Sequence, residues 1–352
     1  MDRRTYLKSS LALGSTFLMP AGVLALVGCS GTVKTPELAG FDGRIMGTGY
    51  SVRLGSGNAV PEELAGAVYA VLQDVDHHMS TWRADSELSL FNTRADNDWQ
   101  AMSPATTGVI AQALRTSHNS KGAFDVTVAP LVDLWGFGAG STADQIRAAK
   151  PARQAVQQHL SQVGHESIEI DLTANAVRKQ NRHARLDLSG IAKGHAVDRV
   201  AALLDSRGLE NYLVEVGGEL KARGRKPDGS AWRVAIERPI AGRREAFRAL
   251  QLQDRAIATS GDYRNFFSDG GTRYSHSIDP RTGQPVNHEL ASVSVVAAST
   301  MEADALSTAM MVMGPDDAMA FAKQQQIAAH LILKSGASLK EIYSPAFQPL
   351  LG

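Results

Sequence analysis

The chain has 352 residues, of which 43% are hydrophobic and 20% charged, and its 36 basic residues balance 36 acidic ones. This composition excludes a disordered chain, a collagen-like repeat and a strongly basic nucleic-acid binder, and the length suffices to bury a sizeable core. A single cysteine excludes an intramolecular disulfide.

Residues 1–28 read as an export signal. Arg3, Arg4 and Lys8 precede a mildly apolar stretch from Leu11 to Val27, which Ser15, Thr16, Pro20 and Gly22 interrupt too often for a membrane span. The run DRRTYLK resembles a twin-arginine export motif, and LVGC resembles a bacterial lipobox ending at Cys29, the expected lipidation site. A cleaved signal with an unmodified cysteine is the simpler alternative. Acylation at Cys29 would remove the only free thiol, excluding cysteine catalysis, and would anchor the protein without a spanning helix. Residues 29–40, small and proline-containing, read as a lipidated tether, and residues 41–352 as one catalytic domain.

Tyr50, Val52 and Leu54 alternate with polar neighbours, which predicts a half-buried strand. Pro61 opens a helical pattern carried by Leu64, Val68, Val71 or Leu72, and Val75. Ser103-Pro104 starts a second helix, with serine as cap and proline in the first turn. A third, polar helix is expected from about Ala143 to Leu160. Strands follow at 168–172 and 185–188, then a helix from Gly190 to Arg207 that Gly208 stops. Further strands are expected at 212–216, 220–223, 232–237 and 250–258. Strands at 292–298 and 328–334 flank a helix at 302–313. These irregular clusters predict an α+β fold, with antiparallel strands packed with helices, rather than a doubly wound sheet.

Several segments carry more polar chemistry than a core requires. In EADALSTAMMVM, residues 302–313, Asp304 and Thr308 lie four apart on one helical face and could offer oxygen ligands to a hard cation. A solvated Asp and a Thr bonded back to its own helix would fit equally well. In RLDLSGIAKGHAVDRV, residues 185–200, Lys193 falls in the first turn after a Gly190 bend, where free N–H groups attract phosphate; it is not a Walker loop. An ordinary capped helix is the alternative. ATSGDYRNFF groups Thr259, Ser260, Asp262 and Arg264 around Gly261, and Tyr274, His276 and Ile278 would share one face of a continuous strand. Gly217-Gly218 after LVEV suggests close approach of backbone to a ligand or another strand.

Taken together, eight ordered motifs resemble the ApbE family, the FAD:protein FMN transferases. They are MGTGYSV (46–52), MSTWRADSELSLFN (79–92), GAFDVTVAPLVDLWGFG (122–138), DLSGIAKGHAVDRV (187–200), VEVGGELKARGRKPDG (214–229), ATSGDYRNFF (258–267), YSHSIDPRTGQPV (274–286) and ADALSTAMMVMG (303–314). The resemblance implies a fold related to the T-fold and an extracytoplasmic enzyme that splits FAD, with Mg²⁺, and transfers FMN to a Thr or Ser hydroxyl of another protein, releasing AMP. It implies flavin contacts at Met46, Trp82, Ala123, Phe124, Asp125, Asp187, Lys193 and Ile278. It places the metal at the Gly190 carbonyl, Asp304 and Thr308. Trp82 stands where the family commonly has tyrosine, Gly190 where alanine is common, and His195 where tyrosine is frequent.

Phosphoryl transfer needs positioning and charge neutralisation more than a protein nucleophile. His276, with a reference pKa near 6.5, is the expected base toward the acceptor hydroxyl, and Asp262 a weaker candidate. The implied partner is a flavoprotein subunit of a membrane redox complex, met by a lipoprotein that faces the periplasm; no nucleic-acid partner is expected. Two other readings use the same site: an FAD pyrophosphatase with water as acceptor, and a non-catalytic FAD-binding lipoprotein.

Overall fold

The main sheet begins with a hairpin, Ala39–Ile45 (β1) and Thr48–Leu54 (β2), whose two-residue turn puts Met46 and Gly47 at positive φ, 53° and 71°. This turn geometry matches the right-handed twist of the strands; glycine adopts it freely, whereas methionine does so under strain. Six more strands follow: Tyr212–Val216 (β3), Glu219–Arg223 (β4), Arg255–Gly261 (β5), Leu290–Ala297 (β6), Ala328–Ser335 (β7) and Ser338–Tyr343 (β8). All pair antiparallel and in chain order, so the eight-stranded sheet is a meander with long insertions. The computed structural model describes residues 38–55, 60–139, 150–336 and 338–351. The expected signal, the lipidation site Cys29 and most of the expected tether lie outside them; Ala39 and Gly40, expected in the tether, already belong to β1.

The helices are Leu64–Met79 (α1), Glu87–Thr93 (α2), Pro104–Asn119 (α3), Ala129–Leu134 (α4), Arg153–Leu160 (α5), Ala192–Ser206 (α6), Thr300–Met313 (α7) and Pro315–Gln324 (α8). One core joins Val52, Leu54, Val214 and Val216 of the sheet to α1 and α6, with Leu72, Val75, Val197 and Leu204 buried between them. A second joins Val293, Val295 and Leu331 to Met310 and Met311 of α7. On the opposite face, Ala222, Ile257, Val296 and Ile332 meet a separate hairpin, Trp232–Glu237 with Ala246–Leu252, through Trp232, Ile236 and Leu250. Strand β6, covered on both faces, is buried along almost its whole length, as expected for a central strand.

Helices α6 and α7 touch at Gly194. A Cβ there would lie 2.4 Å from the Thr300 carbonyl oxygen and 2.8 Å from Met301 Cα, so only glycine permits this separation. Asp198, one turn further along α6, caps α7: its carboxylate accepts from the Thr300 and Met301 amides at 3.1 and 2.9 Å and from the Ser299 hydroxyl at 2.8 Å. Lys221 of β4 pairs with the same carboxylate at 2.8 Å.

The structure departs from the sequence expectations in four places. The strand expected at 250–258 is two strands in different sheets, divided at Asp254, whose φ of 53° an aspartate tolerates. Residues 185–188 are not a sheet strand: Arg185 makes one isolated bridge to Val128, and the Asn92 side-chain amide takes both backbone groups of Leu186, at 2.7 and 2.8 Å. The helix expected from 143 begins only at Arg153, after Pro151; residues 140–149 lie outside the described residues. Tyr274 and Ile278 do not share one strand with His276, because the strand ends at Ser275 and the His276 amide turns back to the Asn265 carbonyl at 3.1 Å.

Gly194→Ala should therefore lower stability by about 1–3 kcal/mol, the usual cost of overpacking. Exposed Gly66 in α1, where a Cβ meets nothing within 4 Å, is the control. Gly66→Ala should raise stability by about 0.5–1 kcal/mol. Denaturant unfolding of both variants checks the pair; equal effects would contradict the steric account.

Candidate active site

A cavity of about 960 Å³ opens where the sheet, the N-terminus of α6, the middle of α7 and the separate hairpin meet. Met46, Trp82, Ala123, Phe124, Asp125, Asp187, Gly190, Lys193, His276, Ile278, Asp304 and Thr308 all line it. They come from segments more than two hundred residues apart in the chain.

The floor is charged. Lys193 Nζ lies 3.5 Å from Glu219 Oε1 and 3.8 Å from Asp304 Oδ2, and donates to the Ser189 carbonyl at 3.1 Å. Burial alone would pull the lysine pKa down, but the carboxylates of Asp304 and Glu219 outweigh it and hold the ammonium charged. Burial pushes the carboxyls of Asp304 and Glu219 up, against the pull of Lys193. Asp187 is likewise raised by burial, although it accepts from the Ser189 amide at 2.8 Å. One ammonium thus faces three carboxylates. Glu219 Oε2 is buried without a hydrogen-bond partner.

Asp304 is held across the helix junction, its Oδ2 accepting from the Gly194 amide at 3.0 Å. Thr308 follows one turn later, and a Cβ on Gly190 would lie 3.1 Å from Thr308 Oγ1, so the Gly190 backbone abuts that hydroxyl. A carboxylate and a hydroxyl one helical turn apart, beside the Gly190 backbone, are oxygen donors of the kind hard cations prefer. Among the described residues, no three His, Cys, Asp or Glu side chains gather as a metal cluster; any cation here would rest on mixed oxygens and on its ligand.

The lining also presents apolar and aromatic surface. Trp82 is 70% exposed, a flat ring free to be covered by a planar ligand. Phe124 and Ile278 are buried in the lining, Phe124 close to Gly190, and Met46 sits in the strained hairpin turn. The Asp125 carboxylate is fully engaged by its own scaffold, accepting from the Thr127 amide and hydroxyl at 2.8 and 2.6 Å and from His165 N and Nδ1 at 2.9 and 3.1 Å. It therefore shapes the loop, and a ligand there meets backbone and its neighbours.

His276 sets its own tautomer. Its Nδ1 lies 3.0 Å from the Asn265 carbonyl, which can only accept, so Nδ1 carries the hydrogen and Nε2 is left as a base. Phe137 packs edge-on against the ring at 6.3 Å. Asp262, the other expected base, does not line the cavity: it follows the end of β5 and pairs with Lys334. That ion pair engages its Oδ2, away from the cavity lining. The sequence reading also missed Glu219 and the hairpin wall of Val234, Ile236 and Glu237; the only signals were a Gly-Gly turn before Glu219 and the alternation of 232–237.

The ApbE family model matches residues 46–331. The chain is 41% identical to the FAD:protein FMN transferase of Vibrio cholerae over 333 residues, covering 94% of this chain and 97% of that protein. It is 33% identical to the FAD:protein FMN transferase of Escherichia coli K12, covering 94% and 95%. Among solved structures, the flavin transferase ApbE from Vibrio cholerae superposes with a TM-score of 0.81 at 41% identity, covering 90% of this chain and 99% of that one. The apo form of Pseudomonas stutzeri flavinyl transferase ApbE gives 0.81 at 39% identity, covering 90% and 97%.

The cap on α7 predicts a pH-dependent stability. Burial raises the Asp198 pKa, but Lys221 and the amides of Met301 and Thr300 outweigh it and hold the group below its usual value. A lowered folded pKa contributes stability above the unfolded value near 3.9, lost as pH falls through the folded one. Asp198→Ala should therefore cost about 2–4 kcal/mol at pH 7. The gap to wild type should close toward pH 3 in urea titrations; a gap independent of pH would contradict the charged cap.

Proposed function

The chain belongs to the ApbE family, and from that premise we propose that it is an FAD:protein FMN transferase, moving FMN from FAD onto an acceptor protein. The observation that carries this reading is the cavity itself, where half-buried Lys193 lies beside buried Asp304 and Glu219, and where Thr308 and the exposed ring of Trp82 share the lining. A dinucleotide needs both halves, a charged seat for the pyrophosphate and a flat apolar one for the ring. The sequential antiparallel meander with helices on one face supports the further reading of a fold related to the T-fold.

In this reading the isoalloxazine lies against Met46, Trp82, Ala123, Phe124 and Ile278, with Asp125 and Asp187 shaping that end. The adenosine half faces the hairpin wall of Val234 and Ile236. Asp304, Thr308 and the Gly190 carbonyl are the residues that would hold Mg²⁺, which would add to the single positive charge of Lys193 for an anionic substrate. Lys193 steadies the charge developing on the departing AMP. A serine or threonine hydroxyl of the acceptor attacks the FMN phosphorus, the bond to the bridging oxygen breaks, and AMP leaves with that oxygen. His276 Nε2 takes the hydroxyl proton. The acceptor is then a flavoprotein subunit of a membrane redox complex.

Location follows from the sequence: acylation at Cys29 would hold the enzyme on a membrane facing the periplasm. Among the described residues no helix is long and apolar enough to cross one. Fatty-acid labelling should mark the wild type and not Cys29→Ala; equal labelling would refute the anchor.

Incubation with FAD, Mg²⁺ and an acceptor domain should give covalent flavin fluorescence on the acceptor and one AMP per label. FMN and AMP without label would mean a pyrophosphatase, and unchanged FAD a binding protein. Asp304→Ala, which removes the charged oxygen, should abolish labelling. His276→Ala should slow it by about 10²–10⁴ while FAD affinity holds. Burial pulls the His276 pKa down, the Asn265 carbonyl and Asp262 push it up, and Lys193 adds to the lowering, which prevails. The rate should therefore fall as pH drops through a value below the ordinary 6.5. An acid limb above 6.5 would contradict the assignment.

A further inference from the structure

Behind Thr308 runs a short chain of hydroxyls joining strand β5 to helix α7. Thr308 Oγ1 lies 3.1 Å from Ser260 Oγ, and Ser260 Oγ lies 2.9 Å from Ser307 Oγ. Ser307 Oγ lies 3.0 Å from the main-chain carbonyl of Asp304. Each hydroxyl has one hydrogen to give, and the carbonyl at the end has none. Only one arrangement places a hydrogen in all three contacts. Ser307 donates to Asp304, Ser260 to Ser307, and Thr308 to Ser260.

We infer that Ser260 and Ser307 are positioning residues that turn the Thr308 proton away from the cavity, so that Thr308 presents lone pairs there and acts as a cation ligand rather than a donor to phosphate. The inference rests on the reading of Thr308 as a metal ligand. Ser260 lines the cavity, but Ser307 does not and is fully buried. An influence of Ser307 on the cation can therefore reach it only through the chain of hydroxyls or through a general change in α7. The same chain ties the direction of the Thr308 hydroxyl to the backbone of Asp304, whose carboxylate belongs to the same set.

If the chain is cut at Ser260, the Thr308 proton has no acceptor behind it and turns toward the cavity. If it is cut at Ser307, Ser260 is free to donate to Thr308 and leaves that proton the same way out. Either cut should weaken the cation without touching the flavin wall.

The test uses the whole protein with FAD and no acceptor, with Mn²⁺ as a paramagnetic stand-in for Mg²⁺ and free Mn²⁺ read by EPR. Chromatography confirms that FAD stays intact. Ser260→Ala and Ser307→Ala should each weaken Mn²⁺ binding about five- to tenfold, the loss of roughly one hydrogen bond. FAD affinity without metal should stay within about twofold. Ser307→Ala should add nothing in a Thr308→Val background, the mark of a path that runs through that hydroxyl. Unchanged Mn²⁺ binding in Ser307→Ala, or an equal loss in the Thr308→Val background, overturns the proposal while leaving the metal site standing. No Mn²⁺ binding by the wild type overturns the metal site and the proposal with it.

Discussion

The site depends on how closely α6 approaches α7. The contact at Gly194 brings two backbones together without an intervening side chain, and across it the Gly194 amide donates to Asp304. A buried carboxylate with no such donor would lose its charge or its place. Asp198 holds the junction from the next turn by satisfying the first amides of α7, and Lys221 ties that cap to the sheet. Lys193 begins the same helix that supplies both contacts. One helix pair thus sets the lysine, the carboxylate and, through α7, the Thr308 hydroxyl, with little freedom to move one without the others.

Charge explains why such a floor suits an anionic substrate only in company. Burial pushes all three acids toward their neutral forms, so Lys193 alone offers a pyrophosphate positive charge. A divalent ion would add to that charge, and the pyrophosphate in turn would supply oxygens that the protein set lacks. Ion and substrate are then expected to bind each better in the presence of the other. The apolar part of the lining needs no such balance: Trp82 offers a face, and Asp125 spends its carboxylate on its own loop.

Parts of this were legible before any fold was known. The spacing of Asp304 and Thr308 put both on one helical face, and Lys193 fell in a first helical turn, because local periodicity decides such matters. That these segments share one cavity is a long-range fact; only the ordered motifs of a family resemblance pointed to it. Where the reading failed, a tertiary contact had overruled a local pattern. Asp262 stood among site-like neighbours, yet the strand ends before it and Lys334, seventy-two positions on, claims its carboxylate. The alternating run 185–188 looked like a strand, but the Asn92 amide stands in for a neighbouring one. Glu219 gave only the Gly-Gly turn before it as a signal, since a lone acid in a strand usually meets water, and its burial beside Lys193 becomes visible only in three dimensions.

The central claim is that the α6–α7 junction builds an oxygen site for a cation that grips the pyrophosphate. A crystal structure with FAD and Mg²⁺ tests it most directly. The account predicts one ion about 2.0–2.1 Å from the Asp304 carboxylate, the Thr308 hydroxyl and the Gly190 carbonyl, with pyrophosphate oxygens completing its shell. An ion held by the pyrophosphate alone, or FAD seated away from Lys193 and Trp82, would contradict it.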